Sequence, residues 1–112
     1  MTINIGKIIY PKLQSVAHTY PLVAENSTTF PFIIYRTTAT RPEITKDGIC
    51  DWVYNIQVNV VSDKYDPVCE LCDRTLEKLL ELEDVLDINI ESVSEDYIDD
   101  AYVKEINIII KK

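Results

Sequence analysis

Two thiols three residues apart, in Cys69-Glu70-Leu71-Cys72, are the first place in this 112-residue sequence where side-chain type and spacing permit chemistry. On a helix, positions i and i+3 share a face, so the pair could form a dithiol redox couple or supply half of a zinc site. The second half of a zinc site is missing, because Cys50 and His18 lie far away in sequence. A redox pair sits at a helix N-terminus after a strand, and Cys69 falls in the first turn of an expected helix. Cys72, however, belongs to the leucine stripe of that helix, so both thiols read as structural core residues.

His18 is the only histidine, and no nucleophile motif accompanies it, so it reads as a surface or edge-strand residue. The run Glu95-Asp96-Tyr97-Ile98-Asp99-Asp100 could gather calcium, but it lacks the alternating order, the glycine and the closing glutamate of an EF-hand loop. It reads as a solvated acidic turn. Gly6 and Gly48 stand alone, so there is no phosphate-cradling loop. No catalytic, cofactor or metal site emerges, and the chain reads as non-enzymatic.

The elements that would position these residues follow from periodicity. Ile3–Leu13 has nearly helical apolar spacing weakened by Gly6 and Pro11, and reads as a short, imperfect helix. Pro21 and Pro31 stand inside segments that otherwise read as strand; proline cannot donate to a ladder and belongs at a strand's start, a bulge or an outer edge. Ala17–Ala24 is therefore expected as an edge strand and Phe30–Thr38 as a more interior one, joined by a loose polar linker, Glu25–Thr29. Residues 41–48, polar and containing Asp47-Gly48, read as a mobile loop or extended hairpin tip.

Asp51–Ser62 is the cleanest strand, with Trp52, Tyr54, Ile56, Val58 and Val60 on one face and Asn55, Gln57 and Asn59 on the other. Asp66-Pro67 then reads as an N-cap and first helical proline, opening a helix to about Glu83. Its expected buried stripe is Val68, Leu71, Cys72, Thr75, Leu76, Leu79 and Leu82. Leu86–Val93 alternates with Leu86, Ile88 and Ile90 on one side, and Tyr102–Ile110 is a last strand with Tyr102, Ile106, Ile108 and Ile110 inward. The expected fold is α+β: a two-layer sandwich of an antiparallel sheet, one principal helix on one face, and a short N-terminal helix.

Length and composition fit one domain over residues 1–112, with 46% hydrophobic and 27% charged residues. No apolar run is long enough to cross a membrane as a helix, no secretory signal pattern opens the chain, and three cysteines form no disulfide framework; synthesis in a cytoplasm is expected. A net charge of −8 opposes the phosphate backbone of nucleic acid and favours protein partners.

Tyr20-Pro21-Leu22-Val23-Ala24, a polar gap, then Thr29-Phe30-Pro31-Phe32-Ile33-Ile34-Tyr35 resembles the pattern of tail-completion (tail terminator, head–tail joining) proteins of long-tailed bacteriophages. The alternating strand leading into Tyr65-Asp66, the helix Val68–Leu82 and the terminal strand extend the similarity over about Ile8–Ile110. The resemblance implies a structural subunit made in a bacterial host and located in the virion tail. It would form a ring, hexameric in the assembled tail, that caps the head-proximal end of the tail tube. The implied partners are copies of itself, the tube protein and the head connector, with DNA passing through unbound and no membrane involved. A self-sufficient core would let the isolated subunit exist as a monomer.

On that footing the expected subunit or partner contacts are Asn55, Gln57 and Asn59 on the polar side of their strand and Lys46 and Asp47 in the loop. The expected channel-facing residues are Glu43, Glu95, Asp96, Asp99 and Asp100, since a wall of like charge keeps DNA from adhering. Two other classes stay open. A cytoplasmic interaction domain without a viral role would lack capsid, portal and tape-measure genes as neighbours. An enzyme using Cys69 and Cys72 would need a lowered thiol pKa or bound zinc.

Overall fold

Asp51–Ser62, whose alternation is clearest, forms the centre of the sheet. A computed structural model describes residues 4–22, 29–83 and 85–112. The elements are α1 (Gly6–Gln14), β1 (His18–Pro21), β2 (Phe32–Thr45), β3 (Gly48–Ser62), α2 (Tyr65–Leu80), β4 (Asp87–Ile98) and β5 (Ala101–Lys111). The sheet order is β1-β2-β3-β5-β4. This is the expected helix, three strands, helix, two strands in an α+β arrangement. Ile3, Val23, Ala24 and most of the Glu25–Thr29 linker lie outside the described residues.

Both helices cover one face, because only that face is apolar along the whole of β3 and β5. Tyr54, Ile56, Val58 and Val60 meet Ile106, Ile108 and Ile110 there, under Leu71, Cys72 and Leu79 of α2 and Ile9 and Leu13 of α1. The stripe expected on α2 is observed, with Val68, Leu71, Cys72, Thr75 and Leu79 buried and Leu76 and Leu82 half-buried. Thr75, fully buried, satisfies its hydroxyl by donating to the Leu71 carbonyl at 2.7 Å.

Several boundaries differ from the sequence reading. The sheet is mixed, since β1 pairs parallel with β2, His18 opposite Phe32 through Pro21 opposite Tyr35. Asp66 is not the N-cap of α2: Lys64 is, with extended backbone and no side-chain cap, and Asp66 instead places its charge in the first turn, where the helix dipole favours it. Cys69 accordingly falls beyond the first turn, and α2 stops at Leu80 rather than Glu83. Leu86, read on one side with Ile88 and Ile90, is exposed, because it precedes the ladder that begins at Asp87 opposite Lys111.

Of the two readings of residues 41–48, mobile loop or extended hairpin tip, the second is observed, and the segment read as an acidic turn at 95–100 is mostly strand. β2 runs to Thr45 and reverses through Lys46-Asp47 into Gly48, whose φ of 112° suits glycine. β4 runs through Glu95, Asp96, Tyr97 and Ile98, so the turn is only Asp99-Asp100. Both turn residues have positive φ, 50° and 63°, the mark of a two-residue type I′ hairpin turn that Asp tolerates better than bulkier residues. From Glu43 to Asp51 the β2–β3 hairpin has only two strands and projects as an arm, which with the long strands gives the molecule a 51 Å axis.

Pro21 ends the four-residue edge strand, and Pro31 stands just before β2. Both occupy positions where a missing N–H interrupts no ladder between interior strands.

Candidate functional site

The sheet face opposite the helices lies outside the packed core. Strand register stacks its residues in rows across four strands. Phe32, Val61, Val103 and Asp96 form one row, Ile34, Asn59, Glu105 and Ser94 the next, and Arg36, Gln57, Asn107 and Ser92 a third. Polar side chains on these rows join into a chain of hydrogen bonds. The Arg36 Nε donates to Gln57 Oε1 at 2.9 Å, and Gln57 Nε2 donates to Glu105 Oε1 at 2.8 Å. Asn107 Nδ2 donates to Glu105 Oε2 and to Ser92 Oγ, both at 3.2 Å. Such a network fixes the orientation of side chains that present donors and acceptors to whatever lies above the sheet.

At the end of this face nearest the Asp99-Asp100 turn, a groove of about 520 Å³ opens between β2 and β4. Phe32, Ile34, Val61 and Val103 make it apolar, and Asn59, Glu105 and Asp96 bring polar and acidic groups to it. An apolar strip with charged margins suits contact with protein.

The predicted contact residues divide between two places. Asn55, Gln57 and Asn59 all lie on the open face of β3, Gln57 inside the network, Asn59 at the groove and Asn55 accepting from the Arg41 guanidinium at 3.5 Å. Lys46 and Asp47 form the tip of the projecting arm, next to Ile44 and Ile49, which are 71% and 55% exposed. Exposed isoleucines beside a hairpin turn are a contact signal that does not show in the sequence pattern of this polar segment.

The acidic candidates also separate. Glu43 pairs with Lys111 at 2.8 Å on the arm. Glu95 accepts from Lys104 at 2.8 Å and from the Tyr65 hydroxyl at 2.9 Å. Those two hydrogen bonds hold the Glu95 carboxyl below its ordinary pKa, and the bond to Glu95 is the largest cause of raised pKa values at Lys104 and at Tyr65, the latter to about 12. Asp96, Asp99 and Asp100 have no ion pair among the described residues.

Cys72 is buried and its thiol pKa is pushed up, chiefly by desolvation, which disfavours the nucleophilic thiolate. Cys69 is half-buried beside the core, and all three cysteines are free. His18 is exposed at the start of the edge strand. Glu43, Cys50 and Asp51 converge on the arm with ligand atoms within 4.8 Å, a cluster that needed strand register to be seen. Lys111 Nζ stands 2.8 Å from Glu43 and 3.8 Å from Asp51, so an ammonium already supplies the positive charge there.

No protein-family profile matches the chain, and no curated protein matches it in sequence. Among solved structures, a chain of the virion of a native gene transfer agent (GTA) particle superposes with a TM-score of 0.78 at 10% identity. The match covers 96% of this chain and 92% of that one. At that identity the two share a fold.

Proposed function

We propose that this chain is a non-enzymatic structural subunit of a phage or prophage-derived tail, located in the virion, that forms a ring capping the head-proximal end of the tail tube and joins it to the head connector. The observation that carries the reading is the fold shared over nearly the full length of both chains with a component of a virion particle. The Tyr20–Ala24 and Thr29–Tyr35 pattern supports the narrower assignment to tail completion. The ring is taken to have six subunits in the assembled tail, with the tube protein and connector as its neighbours.

Lys46 and Asp47 at the arm tip, with Asn55, Gln57 and Asn59 on the open face, are the proposed contacts to subunits or partners. Asp96, Asp99 and Asp100 are the stronger candidates for the channel wall, since Glu43 and Glu95 are each neutralised by a lysine. Carboxylates there would repel passing DNA rather than bind it. Light scattering coupled to size exclusion, with the neighbouring genes, tests the role. Ring-sized assemblies, alone or on tail tubes, beside capsid, portal and tape-measure genes are expected. A chain that stays monomeric under both conditions, away from such genes, would overturn it.

A further inference from the structure

The sheet leaves two strand edges open on opposite sides. β1 covers only Phe32–Tyr35 of β2, so from Arg36 to Thr45 the outer side of β2 has no partner strand among the described residues. β4 ends the sheet on the other side, and its outer side has no partner strand among the described residues. Each edge presents backbone N–H and C=O groups that can accept a further strand.

The directions of these edges are complementary. β2 and β5 both run antiparallel to β3, and β4 runs antiparallel to β5, so β2 and β4 point in opposite directions. Rotation about an axis along the strands, the operation that relates neighbours in a ring, sets β4 of one copy antiparallel beside β2 of the next, without sliding.

At that level the edges also match in length. The row Arg36, Gln57, Asn107, Ser92 and the row Arg41, Val53, Lys111, Asp87 bound the same stretch of sheet. Between them each edge carries one extra residue, at Thr38 in β2 and at Glu91 in β4. A bulge on one edge alone would throw a docked strand out of register. Here both Arg36–Arg41 and Asp87–Ser92 contain the same number of residues, so the rows that bound the stretch stay aligned. Pro42, next in β2, has no N–H and ends the stretch that can pair.

Charge agrees with direction and length. Arg36 and Arg41 bond only to the neutral amides of Gln57 and Asn55, and have no carboxylate partner among the described residues. Asp87 and Glu91 have no cation among them either, Lys111 being engaged by Glu43 and Asp51. In the aligned pairing Arg41 falls opposite Asp87, and Glu91 falls opposite Thr37, one residue from Arg36.

We infer that a second copy of this chain docks here, Arg36–Arg41 of one subunit pairing antiparallel with Asp87–Ser92 of the next to make one sheet continuous across the interface. The inference rests on the ring-forming reading above and specifies its contact; a head-to-tail contact of this kind closes into a ring when the rotation closes.

The test compares assembly of the wild type, Arg41→Glu, Asp87→Arg and the double variant by sedimentation velocity, alone and on purified tail tubes. Hydrogen exchange of residues 36–41 and 87–92 is followed in the free and assembled states. Each single reversal is expected to weaken association about tenfold, the double to restore it, and both segments to gain protection on assembly. Unchanged melting temperatures verify that these exposed substitutions leave the fold intact. Assembly with neither charge coupling nor protection would overturn this contact while leaving the ring standing. No assembly of the wild type under either condition would overturn both.

Discussion

Replacing Leu79 with alanine tests whether α2 is held by its buried stripe. Leu79 is 0% exposed, at the centre of the layer between α2 and the sheet. Removing three carbons forfeits about 2.4 kcal/mol at roughly 0.8 kcal/mol per methylene. A residual cavity raises the cost into the range of about 2–5 kcal/mol, with about 3 a central value. An unfolding entropy of about 2.1 cal/mol/K per residue gives about 0.24 kcal/mol/K for this chain, so the melting temperature should fall by about 13 °C. Leu80, the next residue, is 58% exposed, and Leu80→Ala should move it by no more than about 2 °C. Thermal unfolding followed by circular dichroism, at a concentration where the oligomeric state is constant, reads both. Equal shifts, or a Leu79→Ala shift below about 4 °C, would refute packing of α2 through this stripe.

Lys46→Glu should alter assembly, read by light scattering, while leaving the melting temperature unchanged, because Lys46 stands at an exposed turn outside the core. Glu95 has a folded-state pKa below its ordinary 4.5, so its contribution is present above that value and is lost as pH falls through the folded one. Urea midpoints should therefore fall more steeply with acid in the wild type than in Lys104→Met, where the larger cause of the shift is gone. Tyr65 is shifted the other way, to about 12, so its neutral phenol is favoured by folding, and that contribution fades as pH rises from about 10 towards 12. An ultraviolet titration should lose one late phenolate transition in Tyr65→Phe; a transition lost near pH 10 instead would show that the Glu95 bond is not made.

The alternation of Trp52 through Val60 and the spacing from Val68 to Leu79 were legible because each pattern is local and reports one buried face. Residues 36–45, RTTATRPEIT, show no such pattern, since they are strand by pairing with β3 rather than by burial. Glu95–Ile98 reads as a turn from its acidity for the same reason: only pairing with Ala101–Lys104 holds it extended. The parallel pairing of β1 depends on where β2 begins, and four residues carry no directional signal. Asn55, Gln57 and Asn59 were found as a polar face, whereas their partners Arg36, Glu105 and Asn107 come from other strands and required the register. The stripe places Cys72 in the core, as observed, whereas Cys69, outside the stripe, is half-buried beside it rather than part of it.

An electron cryo-microscopy reconstruction of the tail's head-proximal end tests the proposed role most directly. The expected map holds a closed ring of copies of this fold between tube and connector, with Asp99 and Asp100 toward the channel. A head–tail junction complete without any copy of this chain would contradict the role; a ring whose lumen is neutral or basic, with these acids on the outer wall, would contradict the channel assignment alone.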